Sequence, residues 1–234
     1  MTPQQAILLQ MEALEWVREY YGSKLQPPRP RLGMTKGTPE FKVEPEKCLI
    51  SINPRFPDND ILVSAGEEAG HYWHYYEQPA LLERLETLTD ILNHGRAPES
   101  EKERAVLSYG KLVILQEFVG RLAGYKFFQH KEGNVEDFAK NIYWTSPEPP
   151  QKTGNGAIDD LNEDILIRQL FSNATHQVGY ELALEVIRKG TPPLRVRREI
   201  LHCMTLEEAM ELTQPYRIES EREKQWKQWG GAKR

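Results

Sequence analysis

Apolar residues recur at helical spacing through almost the whole chain, and one stretch alone departs from that rhythm. Thr2 and Pro3 read as a cap with proline at the first helical position. Ile7, Leu8, Met11, Leu14, Val17 and Tyr21 then mark one helical face, and Gly22 stops it. The departure lies between residues 25 and 53. Prolines, Gly33 and Gly37 interrupt it, and Phe41-Lys42-Val43 and Cys48-Leu49-Ile50-Ser51-Ile52 read as strands joined by a turn. After Asn53-Pro54 and the cap region Asp58-Asn59-Asp60 the helical period returns. It predicts helices from about 60 to 77, from Pro79 to near Gly95, and from a Ser100/Glu103 capping box to about His130. A further helix is expected from about 158 to 189, closed by Gly190 and Pro192-Pro193. The expected fold class is α+β: mostly helical, with a small sheet from residues 30 to 53 beside the next helix, plus additional C-terminal helices. Residues 146–157 read as a linker between a core of residues 1–145 and a charged, helical region of residues 158–234. No internal repeat is evident.

The chemistry concentrates in Glu67-Glu68-Ala69-Gly70-His71-Tyr72-Trp73-His74. This stretch is one residue away from H-E-x-x-H, in which two metal ligands sit one helical turn apart and a glutamate base flanks the first. His71 holds the place of the second ligand and Glu68 that of the base. Glu67 stands where the first histidine would be. At 100° per residue, Glu67, His71 and His74 project within about 60° of one another, and Glu68 points roughly 100° from Glu67. The plainer reading of Glu67 and His71 is an i,i+4 ion pair. His74 reads as a supporting or structural histidine. Tyr72, Trp73, Tyr75 and Tyr76 read as core, with a pocket wall as the alternative.

Around this motif the chain resembles small zincin metallopeptidases of the gluzincin type, over roughly residues 31 to 129. The resemblance rests on Ile50-Ser51-Ile52-Asn53-Pro54 before the helix, on Glu68-Ala69-Gly70-His71-Tyr72-Trp73-His74, and on Gln116-Glu117-Phe118-Val119-Gly120-Arg121-Leu122-Ala123-Gly124-Tyr125. It implies that residues 1–145 form a zincin-like core, with Glu117 as third metal ligand, His71 as second and Glu68 as base. The alternative for Glu117 is an ion pair with Arg121. By the same resemblance His176 or Tyr180, four apart on the 158–189 helix, would stabilise an oxyanion; the plainer alternative is a structural role. Gly120 and Gly124 permit close helix packing, with the Ala69-Gly70 face as the expected neighbour. The implied function is a metallopeptidase-like protein with a variant E-E-x-x-H site, weakly active or degenerate. A non-catalytic module that binds a peptide or protein is one alternative, and a helical di-metal carboxylate protein is another. The cofactor would be zinc, or manganese or iron given the two carboxylates, or none.

Bulk properties narrow the setting. A net charge of −5 makes nucleic acid an unexpected partner, and no apolar run approaches the roughly 18 residues of a membrane span. With no signal-peptide pattern, Cys48 and Cys203 read as buried free thiols and the chain as cytoplasmic. Trp226 and Trp229 lie on one side of a charged helix, suited to docking on the body or on a partner.

Overall fold

The punctuation of the chain sets where its helices start and stop. The computed structural model describes residues 3–25, 31–32, 41–44, 47–50, 58–93, 98–136 and 156–217, with side chains in 5, 8–25, 58–93, 98–136 and 166–217. Helix α1 spans Pro3–Tyr21 and ends where Gly22 takes a φ of 70°, a left-handed conformation open to glycine. Helices α2 (Asp58–Glu77), α3 (Pro79–Asn93) and α4 (Glu99–His130) follow. Helix α5 (Gly156–Lys189) stops at Gly190, whose φ is 129°. Two short helices, α6 (Leu194–Ile200) and α7 (Leu206–Thr213), complete the described chain with a 3-10 turn at Gln214–Tyr216. The capping box expected at Ser100/Glu103 is absent: Pro98 caps α4 without a side-chain hydrogen bond. Thr205 and Glu208 form one instead, at the start of α7.

The α+β class is corrected by what packs on what. Among the residues whose side chains are described, every regular element is helical, and the core is helix on helix. Strands β1 (Arg31–Leu32), β2 (Phe41–Glu44) and β3 (Lys47–Ile50) pair through their backbones in the order β1-β3-β2. None exceeds four residues, short of the usual five or six, and they add no layer to the described core. Expectations for Asn53-Pro54, most of the 146–157 linker, Trp226 and Trp229 fall outside the described residues, as does the Cys48 side chain.

Helix α4 is the axis of the fold. Helices α2 and α5 pack along it, α1 lies on α2, and α3 rests on α4. Helix α1 buries Leu9, Ala13, Leu14, Val17 and Tyr21. Leu8 and Met11, expected inside, are 61% and 49% exposed, so the buried face is turned from the one read in the sequence. Polar hooks fix this turn: the Gln10 amide donates to the Ala65 carbonyl at 3.0 Å and the Trp73 indole donates to Leu14 at 2.8 Å. The Tyr21 hydroxyl donates to Val119 on α4 at 2.9 Å. Tyr72 and Trp73 are core, while Tyr75 and Tyr76 pack at its edge.

His74 is fully buried, and its Nε2 donates to the Cys203 carbonyl at 3.2 Å. Burial lowers its pKa to about 4, against 6.5 when exposed, with His202 adding to the effect and the carbonyl opposing it. Between these values the unfolded chain takes up a proton that the folded chain refuses. Stability therefore rises with pH across that window and is lost as pH falls from 6.5 toward 4. The His74 share is about 3 kcal/mol, at 1.36 kcal/mol per unit. In urea unfolding at pH 7 and pH 4.5, His74→Gln should show a shallower acid loss than the wild type; an identical slope would refute the assignment. Nearby, Cys203 is a buried free thiol whose pKa burial pushes up to about 12, which suits an inert core cysteine.

Candidate metal centre

Three helices can bring functional groups together only if their backbones approach closely, and glycines make that possible. A Cβ on Gly70 of α2 would lie 2.7 Å from the Ala123 Cβ and 2.9 Å from the Gly120 Cα of α4. A Cβ on Gly120 would meet the His71 ring at 2.5 Å. A Cβ on Gly179 of α5 would lie 2.5 Å from the Glu117 Cβ and 2.9 Å from the Phe118 nitrogen. The close approach expected of Gly120 to the Ala69-Gly70 face therefore occurs, Gly124 instead meets Val63 and Gly66 one turn earlier on α2, and Gly179 repeats the device between α5 and α4.

At the crossing, ligand atoms of Glu67, His71 and Glu117 all lie within 4.8 Å of one another. His71 Nε2 is 3.9 Å from Glu117 Oε2. His176 Nε2 is 3.2 Å from the other oxygen, Oε1, so the carboxylate lies between two imidazoles. Arg121 reaches Glu67, not Glu117, at 3.0 Å. Its guanidinium also stacks 3.5 Å from the centre of the Tyr180 ring, and the Tyr180 hydroxyl hydrogen-bonds Glu67. The structure thus gathers all six residues singled out in the sequence: Glu67, Glu68, His71, Glu117, His176 and Tyr180.

The electrostatics are those of crowded, dehydrated acids. Burial raises Glu67, with Arg121 and Tyr180 pulling it back. Burial, then Glu67 and Glu117, hold Glu68 well above the usual carboxylate range. Burial and Glu67 push Glu117 up to about 8, and burial lowers His71 to about 3, leaving a neutral imidazole. Glu68 Oε2 is buried with no hydrogen-bond partner among the described residues. Three carboxylates face one guanidinium, leaving two negative charges to balance if all ionise. A single divalent cation would neutralise them. The donor set suits such an ion: two carboxylates and a neutral imidazole, with ligand atoms within 4.8 Å of one another.

Arg121 pairs with Glu67, so the ion pair with Glu117 that stood as the alternative to a ligand role is not the one formed. A short recurrence carried the signal. Glu67-x-x-Gly70-His71, Glu117-x-x-Gly120-Arg121 and His176-x-x-Gly179-Tyr180 repeat one five-residue pattern on three helices. In each, two polar groups flank one turn and the glycine admits the neighbouring helix.

Beside the centre, a cavity of about 490 Å³ lies between α3, α4 and α5, walled by Leu92, Val106, Tyr109, Val113 and Phe171. His176 also lines it, linking the cavity to Glu117. No helix among the described residues is long and apolar enough to cross a membrane. Comparisons with protein-family models, curated proteins and solved structures gave no match for this chain.

Proposed function

We propose that this chain is a metallopeptidase-like protein that holds one divalent cation at Glu67, His71 and Glu117 and cleaves peptides slowly or not at all. The observation that carries this reading is the convergence of three ligand atoms from α2 and α4 within 4.8 Å. The E-E-x-x-H string and the later Glu117 helix support a zincin-like arrangement, in which Glu68 is the base. A bound cation would polarise a carbonyl and acidify a water. The chain's own groups limit that chemistry. A second carboxylate at position 67 lowers the net charge at the ion compared with an imidazole. Tyr180 is engaged with Glu67 and Arg121, which leaves it poorly placed to meet an oxyanion. A cytoplasmic setting suits the free Cys203 thiol.

Zinc is the first candidate, with manganese or iron suited to the carboxylate-rich set. A two-cation centre has one observation in its favour: the Glu117 oxygens face different imidazoles. The charge count disfavours it, because two divalent ions would leave an excess of two positive charges. A non-catalytic peptide-binding role draws support from the apolar cavity, which could take a side chain.

Metal analysis of the purified protein should give one equivalent per chain. Zinc at 100 times its Kd should add about 2.7 kcal/mol of stability, seen as a raised Tm. Generic peptides should resist cleavage with zinc and turn over slowly, if at all, with manganese. Rapid zinc-dependent cleavage that vanishes in Glu68→Gln would overturn the weak-activity reading. Absence of any bound or stabilising divalent ion would overturn the cation.

A further inference from the structure

We infer that the cavity between α3, α4 and α5 is a binding site for a free small molecule with fused aromatic rings and no positive charge. No bound ion is required for it. At about 490 Å³ the cavity falls inside the range of roughly 300–1,000 Å³ typical of small-molecule sites. An apolar cavity of about 150 Å³ is enough for benzene, so this one has room for two fused rings with a substituent.

The walls select for shape. Each of three helices contributes apolar surface: Leu92 from α3, Val106, Tyr109 and Val113 from α4, and Ile167 and Phe171 from α5. The Tyr109 and Phe171 rings stack at 27° with centres 6.5 Å apart. Phe171 is also seated on the α4 backbone: a Cβ on Gly110 would lie 2.8 Å from its Cζ. An aromatic wall held in this way favours a flat partner in offset contact. The buried Thr175 hydroxyl is turned back on the Phe171 and Ser172 carbonyls, at 3.1 and 2.9 Å, so it adds no donor to the cavity. Val106 and Ile167 are 39% and 57% exposed, which places the mouth on their side.

The walls also select for charge. None of the described residues lining the cavity is acidic, although the chain carries 35 aspartates and glutamates. A cationic ligand would give up its hydration there without a counter-charge. Asn93 and Ser172 offer an amide and a hydroxyl to a polar substituent. All three walls are helices, whose backbone groups bond within themselves. A peptide backbone finds nothing to pair with there, so a free molecule suits the space better than a peptide side chain.

The test is calorimetric titration of the full chain with a chelator present, which separates its outcome from that of the cation. Naphthol and naphthoate should bind at a single site per chain and raise Tm. Naphthylmethylammonium should bind roughly tenfold or more weakly, for want of a counter-charge. Ile167→Trp at the mouth and Val113→Trp on α4 should each weaken naphthol binding by roughly tenfold or more, because the indole takes the space. Ile167 is more than half exposed, so its variant tests occupancy without burdening the core. Leu107→Trp, at an exposed position outside the cavity lining, should bind as the wild type does. Absence of binding by both naphthyl probes, or binding unchanged in both filling variants, overturns the site. Equal binding of the ammonium probe overturns the selection by charge. Tighter binding of N-acetyltryptophanamide than of naphthol would make the cavity a pocket for a peptide side chain and overturn the free ligand.

Discussion

Replacing Glu67 with histidine should destabilise the protein by about 3–5 kcal/mol without added metal, because it strips Arg121 of its carboxylate and leaves a buried charge unpaired. The result runs against the simplest sequence argument. Imidazole is the usual ligand at the first position of H-E-x-x-H, so Glu67→His looks like a repair that should tighten zinc binding. The structure reverses the sign. With histidine there, Glu68 and Glu117 would face both Arg121 and the ion, an excess of one positive charge in a dehydrated space. Zinc affinity should fall below that of the wild type. Removing the guanidinium as well, in Glu67→His with Arg121→Gln, restores the balance and should recover at least tenfold in affinity over the single variant. Urea unfolding and calorimetric zinc titration of both variants decide the matter. A single variant that is stable and binds zinc more tightly than the wild type would show that Arg121 does not govern the site.

Gly179→Ala should cost about 1–3 kcal/mol and weaken metal binding together. The added Cβ would sit 2.5 Å from the Glu117 Cβ and 2.9 Å from the Phe118 nitrogen. Backbone cannot swing aside as a flexible side-chain end can, so α5 must move off α4, with the strain of an overpacked core. That movement carries His176 and Tyr180 away from Glu117 and Glu67. Ala183, on the same helix and also fully buried, offers a comparison: Ala183→Gly should destabilise α5 without driving it from α4. If Gly179→Ala matches the wild type in both Tm and zinc affinity, the close crossing is not what positions the centre.

The helices were legible because their signals are local. Pro3, Gly22, Gly190 and Pro192-Pro193 act on their own turns, and the observed boundaries fall beside them. Fold class was misread because alternation over four or five residues marks a strand locally but does not set how large a part of the fold a sheet makes, and the described core is helix on helix. The face of α1 was misread for a related reason. Leu8 and Met11 match the helical period as well as Leu9 and Ala13 do, and the choice falls to distant hooks such as Gln10 to Ala65 and Trp73 to Leu14. At the centre, i,i+4 spacing on one helix was enough to pair Glu67 with His71. Which carboxylate Arg121 would choose could not be read that way, since Glu117 is one turn from it and Glu67 lies on another helix. Only the glycine-spaced recurrence on α2, α4 and α5 hinted that three helices shared one crossing.

The Arg121–Glu67 pair bears on the order of events in biogenesis. Many small metal-binding domains are unfolded until their ion arrives, so synthesis and metal supply must coincide. Here a guanidinium already neutralises part of the acidic cluster, and Glu117 can hold a proton near neutral pH. On the one-cation reading proposed above, the newly made chain could fold first and take up an ion later. Uptake would then follow the local availability of the metal and not the pace of translation.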